Sequence, residues 1–444
     1  MSCSCETSRS GAARGFTLVE VLVTLASLGV ILWMVGQLLF PMRQAAERQR
    51  LQVEARQAAR ASLDYLSMQI RGANDMNRVT AAAVQGPAAF LTYVWKGDGS
   101  GTGNNPICDP TVGLDPGCVQ TSFNNVPANG GNSTLATPGT DILTVAVGQS
   151  TVQSVGASRG LAWAGSVNIN QPSSWSFNLG CPDSGANLTF FKNLTGGSAT
   201  GKSAPLMVVT SQGNWAFYQI TDYQDGANNT SCAVTPPAWC FDPSTAAPTA
   251  CIGVIAQPGA TGLNAPGQTR SLTRPLSLFV NVRFTAFRVC DGWLEQKDGI
   301  FDPSTDANCP TMSAGATFPP YVTKANWSPL LPNVEDLQFA YIFYDGSVWN
   351  GWLGGTIPVG AGVPIAIGTT GNAPPPTYDS TGVTAIRITV TARASSSVTV
   401  GGGKTPAPPP VAEDHDPGVA ATADTYYRAQ LSSLALLRNR LAGY

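Results

Sequence analysis

The hydrophobic pattern changes character twice along the 444 residues. Residues 16–40, FTLVEVLVTLASLGVILWMVGQLLF, are apolar on nearly every side of a helical wheel. As a helix they would measure about 37 Å, enough to cross a hydrocarbon core of roughly 30 Å. After Pro41 the run becomes amphipathic, with Leu51, Ala55, Ala59, Leu63, Leu66 and Ile70 stepping by three or four residues along one stripe. Arginines and acids fill the other face, and Arg43/Glu47, Arg50/Glu54 and Arg60/Asp64 are spaced i,i+4, worth a few tenths of a kcal/mol each. Gly72 and Asn74 close the pattern. The spacing predicts one helix over 16–71, kinked at Pro41, with a coiled-coil stalk as the alternative for its second half.

Beyond residue 72 short runs rich in β-branched and aromatic residues alternate with turn-forming loops. The predicted strands are FLTYVW (90–95), DILTVAVG (141–148), PLMVVTSQ (205–212), NWAFYQIT (214–221), LSLFVNVRFTAFRV (276–289), LQFAYIFY (337–344) and TAIRITVTARA (384–394). The closing YYRAQLSSLALLRNRL fits helix or strand. The expected class is α+β: a long N-terminal helix packed on a mainly antiparallel β globular region with long disulfide-bridged loops. Residues 72–444 form that region, and about 96–275 read as a loop-rich insertion within it.

Composition sharpens this picture. Only 12% of residues are charged, against roughly 25% in an average soluble domain, while 47 glycines and 33 prolines make the chain rich in loops. A formal charge of −2 without clustered Lys and Arg excludes a nucleic-acid surface. Arg9 and Arg14 precede the apolar run, so the positive-inside rule keeps the short N-terminus in the cytoplasm and exports the rest. An ordinary secretory signal fits poorly, because no A-x-A site follows the run.

Ten cysteines fall into two groups. Cys3 and Cys5 lie upstream of the apolar run, in what would be a reducing compartment. The other eight, Cys108, Cys118, Cys181, Cys232, Cys240, Cys251, Cys290 and Cys309, lie downstream, are even in number and include no CxxC pair. They read as a disulfide framework rather than a zinc site. Short loops close most easily, which favours Cys108–Cys118, Cys240–Cys251 and Cys290–Cys309, leaving Cys181–Cys232.

Little else carries chemistry. The glycines at 97, 99, 101 and 103 lead into NNP rather than a helix, which rules out a dinucleotide cradle. DPSTDAN (302–308) spaces oxygens like a calcium loop but lacks the glycine at its sixth place and the glutamate at its twelfth, so it reads as a turn. FDPST recurs at 241–245 and 301–305, where Asp-Pro-Ser favours turns. The single histidine, His415, sits in the Pro-flanked EDHDP. With no nucleophile, base or paired-carboxylate arrangement, the expectation is a non-enzyme without metal or cofactor. A binding module would present Trp163, Trp175, Trp215 and Trp239, although tryptophans are more often buried.

One feature of the apolar run resists the anchor reading: a carboxylate, Glu20, five residues from its start. Gly15, then Phe16, threonine, leucine, valine and Glu20, after a basic leader and before an apolar helix, resembles the class III signal of type IV pilins and pseudopilins. The resemblance implies that a prepilin peptidase cuts after Gly15, leaving 1–15 as a leader, and that the Phe16 amine is methylated. It also implies that Glu20 pairs with the N-terminal amine of a neighbouring subunit and sets helix register in a filament. A lone carboxylate in hydrocarbon costs at least ~2.5 kcal/mol, and an amine close by relieves much of that.

Within the superfamily, TPGTDILTVAVG, LFVNVRFTAFRVCDGWLEQ, NVEDLQFAYIFYDG, TAIRITVTARAS and the late ALLRNR resemble, in order, the globular part of a PilW-type minor pilin. The J-type minor pseudopilin of type II secretion shares NVEDLQFAYIFYDG-like and TAIRITV-like segments and is the alternative, as is a pilus-tip adhesive module. The partners implied are the bacterial inner membrane, other minor and major pilins and prepilin peptidase, with the C-terminal region periplasmic and then on the pilus fibre or cell surface.

Overall fold

The structure is a computed structural model that describes residues 16–73, 90–91, 93–95, 118–120, 122–123, 126, 134–153, 175–179, 204–210, 215–225, 252–257, 276–310, 318–343, 346, 348–349, 383–397 and 426–437. Its chain divides into two compact units, Met1–Val53 and Glu54–Tyr444. Helix α1, Leu18–Ala73, is continuous through Pro41. It opens on a capping box: Thr17 precedes the first helical residue, its Oγ1 accepts from the Glu20 amide at 3.3 Å, and the Thr17 amide donates back to Glu20 Oε2 at 3.0 Å.

Fifteen strands follow: β1 Phe90–Leu91, β2 Tyr93–Trp95, β3 Cys118–Gln120, β4 Leu143–Gln153, β5 Trp175–Leu179, β6 Ala204–Thr210, β7 Trp215–Asp225, β8 Ile252–Gln257, β9 Leu276–Cys290, β10 Trp293–Asp298, β11 Ser328–Pro332, β12 Val334–Phe343, β13 Val348–Trp349, β14 Val383–Arg393 and β15 Arg428–Leu436. A one-turn helix, α2 (Pro303–Asp306), lies between β10 and β11. Among the described residues the strand pairings are antiparallel. Nine strands form one sheet in the order β1-β4-β9-β6-β7-β8-β5, with β10 hairpinned onto β9 and β11 onto β10. Four form a second, β13-β12-β14-β15, and β2 and β3 pair by themselves. The C-terminal run left open by its pattern is thus strand β15.

Alternation along β9 explains the layering, because successive side chains point to opposite faces. Phe287 and Val289 face one apolar core together with Leu143 and Val145 of β4, Leu294 of β10, Leu337 and Phe339 of β12, and Ile386, Ile388 and Val390 of β14. The Glu54–Ala73 part of α1 contributes Leu63, Leu66 and Ile70 to the same core, with Ala55 and Ala59 also buried. The predicted stripe is therefore the buried face, and each large side chain hidden there stabilises by roughly 1.5–3 kcal/mol. Ala286 faces the other way, into a second core with Phe123, Val126, Leu135, Ile142, Phe301 and Trp327. The segment before β4 ties the two sheets: Asp141 donates its amide to the Leu337 carbonyl at 2.9 Å and accepts the Phe339 amide on Oδ2 at 2.7 Å.

The β9–β10 turn is Asp291-Gly292, both at positive φ (54° and 77°), the dipeptide a two-residue hairpin turn favours. Gly292 is required twice over, since a Cβ there would lie 2.2 Å from the Phe318 ring. That ring in turn covers the Arg393 guanidinium at 3.7 Å, with Tyr426 also 4.2 Å from it.

Candidate functional site

The N-terminal half of α1 leaves its apolar side chains uncovered. Leu22, Leu25, Ile31, Trp33 and Leu38 are each more than half exposed, and Phe16 is 82% exposed. Among the described residues, α1 alone contains a segment long and apolar enough to cross a membrane. The single carboxylate on that surface, Glu20, receives the Thr17 amide and the Thr17 hydroxyl on Oε2, both at 3.0 Å. Within the described residues its other oxygen, Oε1, accepts no hydrogen bond. The Thr24 hydroxyl folds back onto the Glu20 carbonyl at 2.8 Å. Gly15 and the rest of the expected leader, residues 1–15, lie outside the described residues.

Of the eight downstream cysteines, Cys290 and Cys309 are joined, with Cα atoms 5.6 Å apart. Cys118 lies in β3. Cys108, Cys181, Cys232, Cys240 and Cys251 lie outside the described residues, as do His415, Trp163, Trp239, the glycine run at 97–103 and the first FDPST. Asp291 and the two bridged cysteines bring their ligand atoms within 4.8 Å of one another, but bonded sulfurs offer no thiolate to a metal.

A buried ionic network, which sequence reasoning missed, occupies the second core. Arg288, fully buried, donates Nε to Glu295 Oε2 at 2.8 Å, Nη1 to the carbonyls of Leu135 and Asp306 at 2.8 Å, and Nη2 to Asn308 Oδ1 at 2.7 Å. Its guanidinium lies 3.9 Å from the centre of the Trp327 ring. Lys324 meets the other Glu295 oxygen and approaches Asp291 at 3.4 Å, and Lys297 pairs with Asp306. Three cations therefore face three carboxylates. Burial pulls the Arg288 guanidinium below its usual value while Glu295 pulls it back up. Burial likewise pushes the Tyr321 and Tyr65 hydroxyls up, and Tyr65 donates its proton to Gln296. Each carboxylate in the network meets at least one cation, the pattern of a structural ion-pair cluster.

The same network decides the calcium-like DPSTDAN. Asp302 caps α2 by accepting the Ser304 amide at 3.0 Å, and Asp306 takes the Lys297 ammonium and the Asp302 amide on Oδ2. The run is a capped turn, as its sequence implied. One signal for the network was readable: across a two-residue Asp-Gly turn, strand pairing sets Arg288 opposite Glu295, and that register is observed.

No protein-family model matches the chain, and no curated protein matches it. Among solved structures it is similar to a type IV-like pilin from Thermus thermophilus at 14% identity, over 57% of this chain and 93% of that one, with a TM-score of 0.18. An overlap that slight carries no weight for fold or function.

Proposed function

We propose that the chain is a minor pilin of the PilW type, a non-catalytic subunit that takes part in priming or capping a type IV pilus. One observation carries the reading: a single 56-residue helix whose exposed apolar half holds one carboxylate near its start, and whose other half is committed to the core of a β-rich region. A helix built for two environments suits a subunit that waits in a bilayer and then moves into a filament. In this reading a prepilin peptidase cuts after Gly15 and the Phe16 amine is methylated. Residues 16–40 hold the chain in the inner membrane, with the C-terminal region periplasmic. Glu20, with one oxygen unused among the described residues, receives the amine of a neighbouring pilin.

Two substitutions test this in cells that make the filament. Gly15→Val puts a side chain where the peptidase must accept bare backbone, so an immunoblot should show only precursor. Glu20→Val should be processed normally yet be missing from sheared filaments. A Gly15→Val chain of mature size, or Glu20→Val incorporation at wild-type level, overturns the proposal.

A further inference from the structure

The three carboxylates of the buried network are unequally held. Glu295 accepts hydrogen bonds from Arg288 and Lys324, and Asp306 accepts them from Lys297 and the Asp302 amide. Asp291 is 5% exposed, yet the Lys324 ammonium stands 3.4 Å from its Oδ2, and its Oδ1 has no hydrogen-bond partner. The Cys290 sulfur, 3.7 Å from Oδ2, is bonded to Cys309 and has no proton to give. A carboxylate buried so poorly satisfied is costly and uncommon. We propose that Asp291 and Lys324 condense to an isopeptide bond, with Glu295 as the proton relay. The proposal does not depend on the assembly reading.

The three groups are held from separate directions. Asp291 is fixed by the β9–β10 turn and by the Cys290–Cys309 bridge beside it. The Lys324 backbone pairs with that of Trp327, whose amide donates to the Lys324 carbonyl at 3.3 Å. Glu295, on β10, is fully buried and accepts Lys324 Nζ on Oε1 while Arg288 holds Oε2. Aromatic rings close the site. The centre of the Tyr321 ring lies 5.2 Å from Nζ, Trp293 packs edge-on against Tyr321 at 5.5 Å, and the Phe318 ring fills the space beside Gly292. Groups kept at contact distance in a site largely closed to water react as though very concentrated.

Condensation needs an uncharged amine and a protonated carboxyl. Glu295 Oε1 takes a proton from Nζ and passes it to Asp291, which makes both reactants neutral and leaves the charge of the cluster unchanged. The Nζ lone pair then attacks Asp291 Cγ. The N–Cγ bond forms, the Cγ–O bond breaks, and the departing hydroxyl takes a further Nζ proton and leaves as water. No oxidant or other reactant is consumed. The charges that remain are matched, Arg288 with Glu295 and Lys297 with Asp306, and the stranded carboxylate is gone. Among the described residues no second carboxylate touches Lys297, so the Lys297–Asp306 pair lacks a relay and stays ionic.

The full chain is purified, digested with and without reduction, and read by tandem mass spectrometry. A branched peptide joining the Asp291 and Lys324 segments, lighter by one water than its two arms and resistant to reduction, should account for nearly all of the protein. Lys324→Arg, which keeps the cation, should abolish it. Glu295→Gln, which keeps the shape of the relay but cannot carry the proton, should lower its yield at least about tenfold. The Cys290–Cys309 bridge, read in the unreduced digest, reports whether each variant has folded around the site. Separate linear peptides for the two segments in wild type overturn the proposal. So does a loss of water confined to the Asp291-Gly292 peptide, which marks a cyclic imide formed with the backbone. Linkage in Glu295→Gln that matches wild type overturns the relay.

Discussion

Glu20 and Glu295 are both carboxylates set among apolar side chains, and the chain treats them oppositely. Glu295 is fully buried, with Arg288 on one oxygen and Lys324 on the other, so its charge is met twice from within the fold. The Glu20 carboxylate sits on an exposed apolar helix and, among the described residues, meets only the amide and hydroxyl of Thr17. A buried ion completed by its own chain specifies a fold. One left half-complete on an exposed apolar helix suits, under the proposed function, an encounter with a neighbouring chain. The difference predicts that removing Glu295 damages stability, whereas removing Glu20 damages only what the chain joins.

The largest effect should follow Glu295→Ala, which strands Arg288 and leaves Lys324 with Asp291 alone. Breaking a buried pair from one side costs about 3–5 kcal/mol, enough to consume much of an ordinary domain's stability. Denaturant unfolding followed by tryptophan fluorescence measures it, and a loss under about 1 kcal/mol would show that water reaches the site. Replacing both members, Arg288→Met with Glu295→Leu, should recover only part of the loss, because Lys324 still lacks Glu295 and the carbonyls of Leu135 and Asp306 lose their donor.

Next in size is the disulfide. Cys309 follows Asn308, whose side chain holds Arg288, so the bridge to Cys290 closes the loop that completes the network around Glu295. The double substitution Cys290→Ser/Cys309→Ser should cost about 2–4 kcal/mol in the same measurement. A change near zero would mean that hydrogen bonds alone hold the 302–309 segment in place.

Smaller and local is Thr17→Ala, which removes the hydroxyl from the capping box while leaving Glu20 ionisable. Loss of such a cap costs about 1 kcal/mol, so amide exchange in the first turn of α1 should quicken about fivefold with no shift in the unfolding of the β-rich region. Unchanged exchange there would show that the bilayer or a partner, rather than Thr17, satisfies the helix start.

How far these two environments could be read in advance depended on how local their signals were. The helix was legible through Leu63, Leu66 and Ile70, because a period of 3.6 is written in consecutive residues. Seven strands were placed for the same reason, with ends that moved: DILTVAVG became the first part of β4, which continues to Gln153, and FLTYVW divided between β1 and β2. β10, WLEQKD, escaped because it carries Glu295, Lys297 and Asp298 and reads as a solvated loop. Its burial is set by Arg288, Lys324 and Asp306, residues brought to it by pairing and by two distant turns. The partial cap on Glu20 was equally present in the sequence, since Thr17 precedes it by three, but the unusual depth of the carboxylate drew the reading towards a partner chain.

The smallest effect on stability should be that of Glu20→Val, and its smallness is the point of measuring it. Glu20 lies at the start of α1, outside the residues that supply the core, and among the described residues its carboxylate bonds to Thr17 alone. Loss of its capping-box bonds is confined to the first turn of α1, and substitution at an exposed position away from the core changes global stability by about 0.5 kcal/mol or less, so the β-rich region of Glu20→Val should unfold with wild type in detergent. Valine also removes the charge that opposes insertion, so residence in a bilayer should be at least as firm as before. Against that background any loss from filaments falls on the missing carboxylate rather than on a damaged subunit. A destabilisation of several kcal/mol would place Glu20 in the same class as Glu295, a member of the fold, and the contrast between the two carboxylates would fail.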